Sequence, residues 1–164
     1  MHDNHDQYNP YHAPDSELDE YDDCPPLYNP QAVALWSILF TPFGAWFHAK
    51  NWQALGEDEL AQQNLIAFWL MIAWIFAVLV LDMLTGIALP TAVSAIVPLV
   101  VWHLKLGKQQ VEYVKEYFGD DYPRQSLVFV VLFGILGGYV VMFTISYILM
   151  ILFGMLGVLH SSWL

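Results

Sequence analysis

The chain has 164 residues, of which 57% are hydrophobic and only 13% charged. A soluble domain carries roughly a quarter charged residues, and here Leu65 to Leu81 and everything after Leu127 lack Asp, Glu, Lys and Arg. The formal net charge of −11 would suit a soluble acidic protein, but eight of the 16 acidic residues precede residue 24 and no Lys or Arg precedes Lys50, so the acid describes a tail rather than a surface.

This pattern predicts an all-α membrane protein, a bundle of about four transmembrane helices plus one cytoplasmic amphipathic helix. The single cysteine, Cys24, excludes an internal disulfide, and Asp22-Asp23-Cys24-Pro25-Pro26 does not follow an apolar stretch as a lipoprotein signal would. The N-terminus is acidic and polar rather than basic and then apolar, so no cleavable signal peptide is expected.

Residues 1–30 are rich in Asp, Glu, Asn, His, Tyr and Pro, have little to bury, and predict a disordered acidic tail. His2, Asp3, His5, Asp6 and His12 could meet a divalent metal, but their spacing matches no closed site and a flexible tail pre-organises nothing. No metal or cofactor is expected.

The transmembrane helical domain follows, over 31–164. Its first apolar segment, 32–48, has about 17 residues, roughly 25 Å of helix and just enough for a bilayer core. Thr41-Pro42-Phe43-Gly44 lies inside it. A helix kinked at Pro42 is one reading, and a re-entrant hairpin turning at Pro42–Gly44 is the other. After a polar loop through Gln63, in which Gly56 is a helix stop and Glu57, Asp58 and Glu59 suit a helix N-terminus, the second span is 64–84. Thr85-Gly86 marks a turn, Pro90 suits a helix start, and the third span is about 89–104.

Residues 105–118 continue as an amphipathic helix, with Val111, Val114 and Phe118 on one face and Lys108, Glu112, Lys115 and Glu116 on another. Gly119-Asp120-Asp121-Tyr122-Pro123 ends it. The final apolar run, 127–159, would be about 50 Å as a straight helix, longer than the ~30 Å hydrocarbon core. One long helix with a span over about 127–153 is preferred, with a break near Gly134, Gly137 and Gly138 or a fifth span as alternatives.

Lys50 lies in the loop after the first span, and Lys105, Lys108, Lys115 and Arg124 in the loop after the third. The positive-inside rule makes loops 50–63 and 105–125 cytoplasmic. The side of the tail depends on whether 32–48 crosses. Two segments end alike, Pro42 to Trp46-Phe47-His48-Ala49-Lys50 and Pro98 to Trp102-His103-Leu104-Lys105. A repeat of two helical hairpins would produce this echo, although aromatic residues and Lys belong at any cytoplasmic interface.

Asp82 is the acidic residue closest to an apolar core, and intramembrane carboxylates are functional candidates. It sits three residues before Thr85, where a hydrated interfacial carboxylate is the plainer account. His48 and His103 could titrate near neutral pH as a pair, or simply end helices at the interface. Gly134 and Gly138 form a GxxxG pair that serves helix association or internal packing. Trp46, Trp52 and Trp102 read as belt aromatics. No nucleophile–base set, phosphate loop or metal cluster is visible, and the loops are too mixed in charge for nucleic acid.

Leu39-Phe40-Thr41-Pro42-Phe43-Gly44-Ala45-Trp46 with Lys50-Asn51-Trp52-Gln53-Ala54-Leu55-Gly56, and Gln110 to Lys115 with Phe118-Gly119-Asp120-Asp121-Tyr122-Pro123-Arg124, resemble a pattern in small, uncharacterised bacterial inner-membrane proteins. The resemblance covers about a third of the chain, and implies a bacterial inner membrane and no activity. The expectation is a non-enzymatic protein acting through contacts in the bilayer, as an accessory or scaffold subunit or an immunity-type protective protein. Its partners would be lipid and another membrane protein or itself. A small oligomeric transporter or channel, resting on Asp82, the two histidines and the echo, is the alternative.

Overall fold

The computed structural model describes residues 24–39, 41–87, 89, 90 and 92–157. The acidic tail before residue 24, with its histidines, lies outside them. The described chain is helical, without strands; one isolated parallel bridge joins Leu27 to Arg124.

The segment 32–48 is not one helix. It divides into α1 (Pro30–Trp36) and α2 (Thr41–Ala54), and the chain reverses between them. Local chemistry explains both starts. Asn29 caps α1, its Oδ1 accepting the Ala32 N–H at 3.1 Å, and Pro30 fits the first turn, where no N–H is needed. Pro42 occupies the first turn of α2 for the same reason, so it begins a helix rather than kinking one. Ser37 Oγ donates to Val33 O at 2.6 Å and the Leu39 N–H returns to Trp36 O at 2.9 Å, which closes α1.

The reversal makes α1 and α2 an antiparallel hairpin. Pro30 lies opposite His48, Tyr28 opposite Asn51, and Ser37 opposite Gly44. The turn includes 37–39, ahead of Pro42–Gly44. A Cβ on Gly44 would overlap Ser37 Oγ and stand 3.3 Å from Trp102 Cη2, so the close approach of the two arms requires glycine there.

Gly56, with φ +77°, ends the hairpin, and the Glu57 N–H reaches Trp52 O at 2.9 Å. Then α3 (Asp58–Thr85) begins with Asp58 and Glu59 in its first turn, where the helix dipole favours acids, and stops at Gly86 in the left-handed region. Its 28 residues correspond to about 42 Å.

The return strand of the bundle is an uninterrupted helical run: a π-turn at Ala92–Ile96, α4 (Val97–Trp102), a second π-turn at His103–Gly107, and α5 (Lys108–Phe118). Pro98 accounts for the first wide turn. It has no N–H for Ser94 O and its ring crowds that carbonyl. Trp74 Nε1 donates to Ser94 O at 2.9 Å, tying α3 to the wide turn. In the second, the Lys108 N–H bonds His103 O, five residues back. Gly119 ends α5, and α6 (Leu127–Leu156) follows as a single helix of 30 residues, unbroken at its glycines.

The hairpin is the centre of the packing. Val33, Phe43 and Phe47 meet Val130 of α6, with Tyr28, Trp46, Phe68 and Ile135 around them. On the other side of α2, Ala45 packs with Met71, Leu99 and Trp102. A third cluster, Cys24, Leu27, Val114 and Tyr122, lies under the hairpin at the end that carries Lys50, Lys108 and Arg124. There the Leu27 N–H donates to Pro123 O at 2.9 Å and the Gln125 N–H to Leu27 O at 2.8 Å. Residues 24–29 therefore sit at the same end as the basic loops. The amphipathic face of α5 is spent on this cluster, and burial pushes the Cys24 thiol up from its ordinary value.

Two helices, α3 and α6, are long and apolar enough to cross a membrane, and only 11% of the apolar stretch of each is buried inside the chain. The core helix of a soluble protein would be mostly buried. Trp69, Leu70, Leu136, Val140, Phe143 and Met155 instead stand exposed on the outer faces.

Candidate functional site

Two features distinguish the interior, a chain of uncharged hydrogen bonds under the hairpin and a cavity above its tip. The hydrogen bonds begin at Asn51. Its Oδ1 accepts the Tyr28 N–H at 2.8 Å, and its Nδ2 donates to Tyr28 O at 2.7 Å and to Gln110 Oε1 at 3.2 Å. Gln110 Nε2 donates to His48 O at 2.8 Å. His48 Nε2 lies 3.2 Å from Pro30 O, which can only accept, so this nitrogen carries the proton. His48 Nδ1 is buried and meets no hydrogen-bond partner. Alongside, Trp102 Nε1 donates to Asn64 Oδ1 at 3.0 Å, and Asn64 Nδ2 to Leu60 O at 2.9 Å. Asn51, Asn64, Gln110 and His48 are all essentially inaccessible. The Asn51 set joins both arms of the hairpin to the start of α5, and the Asn64 pair separately joins α3 to α4.

His48 and His103 flank Trp102. The His48 ring lies edge-on to Trp102 at 4.9 Å, and the His103 ring is 6.3 Å from it. Among the described residues no group of three or more His, Cys, Asp or Glu could hold a metal ion. Pro42 and Pro98, the two prolines of the echoing segments, both line the cavity instead.

That cavity is a half-open cleft of about 610 Å³ between the hairpin tip, α3, the first π-turn and α6. Thr41 and Pro42 form one end, and Asp82 and Leu89 lie at the other. Met71, Ile75, Val78, Ile135 and Met142 supply apolar wall, while Ser94, Tyr139 and Ser146 add polar groups. Asp82 is the one charged residue among the described residues that line it.

No family model, curated protein or solved structure matches the chain. The likeness of its loops to bacterial inner-membrane proteins therefore assigns no family, and the geometry alone carries the functional reading.

The two glycines of the GxxxG pair divide. Gly134 is buried within the chain, whereas Gly138 lines the cavity. Between them, a Cβ on Gly137 would stand 3.0 Å from Phe43 Cζ, so this stretch of α6 is close-packed against the hairpin. Asp82 is half-buried and its carboxylate meets no cation among the described residues. Asn51 in the expected loop, Asn64 at the start of the expected second span and Gln110 in the expected amphipathic helix carry no signal of burial in the sequence, and the fold brings them inside. Ser146 carried a readable signal, being a polar residue in a long apolar run.

Proposed function

We propose that the chain is an integral membrane protein with three crossing segments and one re-entrant hairpin, and that it works by taking a small molecule into the cavity above the hairpin tip. The crossing segments are α3, the run from the first π-turn through the second, and α6. The expected four-span bundle is replaced in this reading by three spans, because 32–48 turns back half-way. The positive-inside rule puts Lys50, Lys105, Lys108, Lys115 and Arg124 in the cytoplasm. Residues 24–29 accompany them. A bacterial inner membrane is the location the loop resemblance implies.

The observation that carries the reading is the cavity itself. Its volume of about 610 Å³ falls in the range of small-molecule sites, and it is mostly apolar with a few polar groups at stated positions. Ile38, Leu39, Thr41, Pro42 and Phe43 of the hairpin line it. This is binding without covalent chemistry, in keeping with the lack of a nucleophile–base set. It favours the transporter-like alternative over a purely contact-based accessory or immunity role, which would leave the cavity unused.

Accessibility of Ser146 tests the reading. In a Cys24→Ser background in lipid nanodiscs, Ser146→Cys is expected to react with a small charged methanethiosulfonate at least about tenfold faster than Val140→Cys, since the thiolate needs water. Ala95→Trp, which fills the cavity, should slow it. Equal reactivity at the two positions would remove the solute-accessible cavity and the reading with it.

A further inference from the structure

The cavity is asymmetric in charge as well as in polarity. Asp82 supplies a carboxylate at its wall, and all five Lys and Arg residues are remote from it in the chain and absent from the described lining. Asp82 also belongs to the last turn of α3, where its own carbonyl accepts the Gly86 N–H at 2.8 Å. The C-terminal end of a helix carries partial negative charge, which adds to that of the carboxylate. Tyr139 and Phe143, largely exposed on the outer face of α6, stand at the rim of the same space with their rings stacked 6.2 Å apart.

The rest of the lining excludes other occupants. An anion would meet Asp82 with nothing to offset the repulsion. A hard metal ion wants about six oxygen ligands, and one carboxylate beside a few hydroxyls falls short of that. Ile72, Ile75, Val78, Leu79, Val141 and Met142 offer an apolar wall that a small hydrated ion would leave unused. An apolar-bodied cation uses both parts, its body replacing water along the aliphatic wall and its charge meeting Asp82 in low dielectric.

We infer that the occupant of the cavity is a lipophilic organic monocation, a protonated or quaternary amine with an apolar body, held at Asp82. This rests on the reading of the cavity as a binding site. The carboxylate is the specificity element and the aliphatic wall supplies most of the affinity.

Tetraphenylphosphonium is the probe, with triphenylphosphine oxide as a neutral analogue and empty nanodiscs as the partition control. Equilibrium dialysis against the full chain in nanodiscs is expected to give saturable tetraphenylphosphonium binding. Asp82→Asn should weaken it at least about tenfold, the worth of one charge-assisted contact, whereas Asp82→Glu retains it. The same cation should protect Ser146→Cys from the thiosulfonate. Equal binding of the neutral analogue, or binding unchanged in Asp82→Asn, would overturn the cation assignment while leaving an accessible cavity intact. No saturable binding of the cation would overturn it as well. Inert Ser146→Cys would instead remove the cavity reading beneath it.

Discussion

Asn51→Leu is expected to lower the stability of the folded chain by about 3 kcal/mol, measured by equilibrium unfolding in mixed micelles. One side chain satisfies three buried partners: the Tyr28 N–H, Tyr28 O and Gln110 Oε1. Leucine has similar bulk and no polar atom, so the Tyr28 backbone groups and Gln110 would lose their partner where water cannot replace it. Gln110→Leu should cost less, because Asn51 keeps both bonds to Tyr28. Gln53→Leu, three residues from Lys50 on the exposed side of α2, should cost almost nothing. The order Asn51, Gln110, Gln53 is the content of the expectation. Equal losses at Asn51 and Gln53 would mean that the hairpin base is not held by this network.

Gly44→Ala is expected to destabilise by about 2–3 kcal/mol, through overpacking at the crossing of the hairpin arms. The added methyl would meet Ser37 Oγ, Ser37 Cβ at 2.8 Å and Trp102 Cη2 at 3.3 Å. Ser37 cannot swing away freely, since its hydroxyl donates to Val33 O and closes α1. Ser37→Gly removes the obstructing atoms, so the double variant Ser37→Gly/Gly44→Ala should be less destabilised than the sum of the single variants. Strict additivity would show that residues 37 and 44 are not in contact, and that the two arms do not cross there.

The helical class and the long apolar helices could be read from composition and hydropathy, because those signals are local and large. The starts of α1 and α2 were also written in the sequence, as Asn29-Pro30 and Thr41-Pro42. Two proline-type helix starts so close together describe two short helices better than one kinked one. The sequence leaves Pro42 as a kink or as the turn of a re-entrant hairpin, whereas in the structure it begins α2 and the turn lies ahead of it. The π-turns had no comparable signal, since Pro98 alone does not say whether a helix bends, breaks or widens. Trp74, which donates to the Ser94 carbonyl, lies twenty residues away. The interior network was illegible for the same reason: Asn51 and Gln110 are separated by 59 residues, and nothing in either neighbourhood announces burial. Asp82 and Gly138 could be singled out from sequence, but their meeting around one cavity is a property of the fold.

The side of the membrane on which the tail emerges tests the central claim most directly. Single cysteines at Ser16, Gln53 and Ser161, each in a Cys24→Ser background, would be labelled with a membrane-impermeant maleimide from either face of sealed vesicles. A re-entrant hairpin followed by three crossings puts Ser16→Cys and Gln53→Cys on one face and Ser161→Cys on the other. Labelling of Ser16→Cys and Ser161→Cys from a common face, with Gln53→Cys opposite, would mean that residues 32–48 cross the bilayer and would contradict the account.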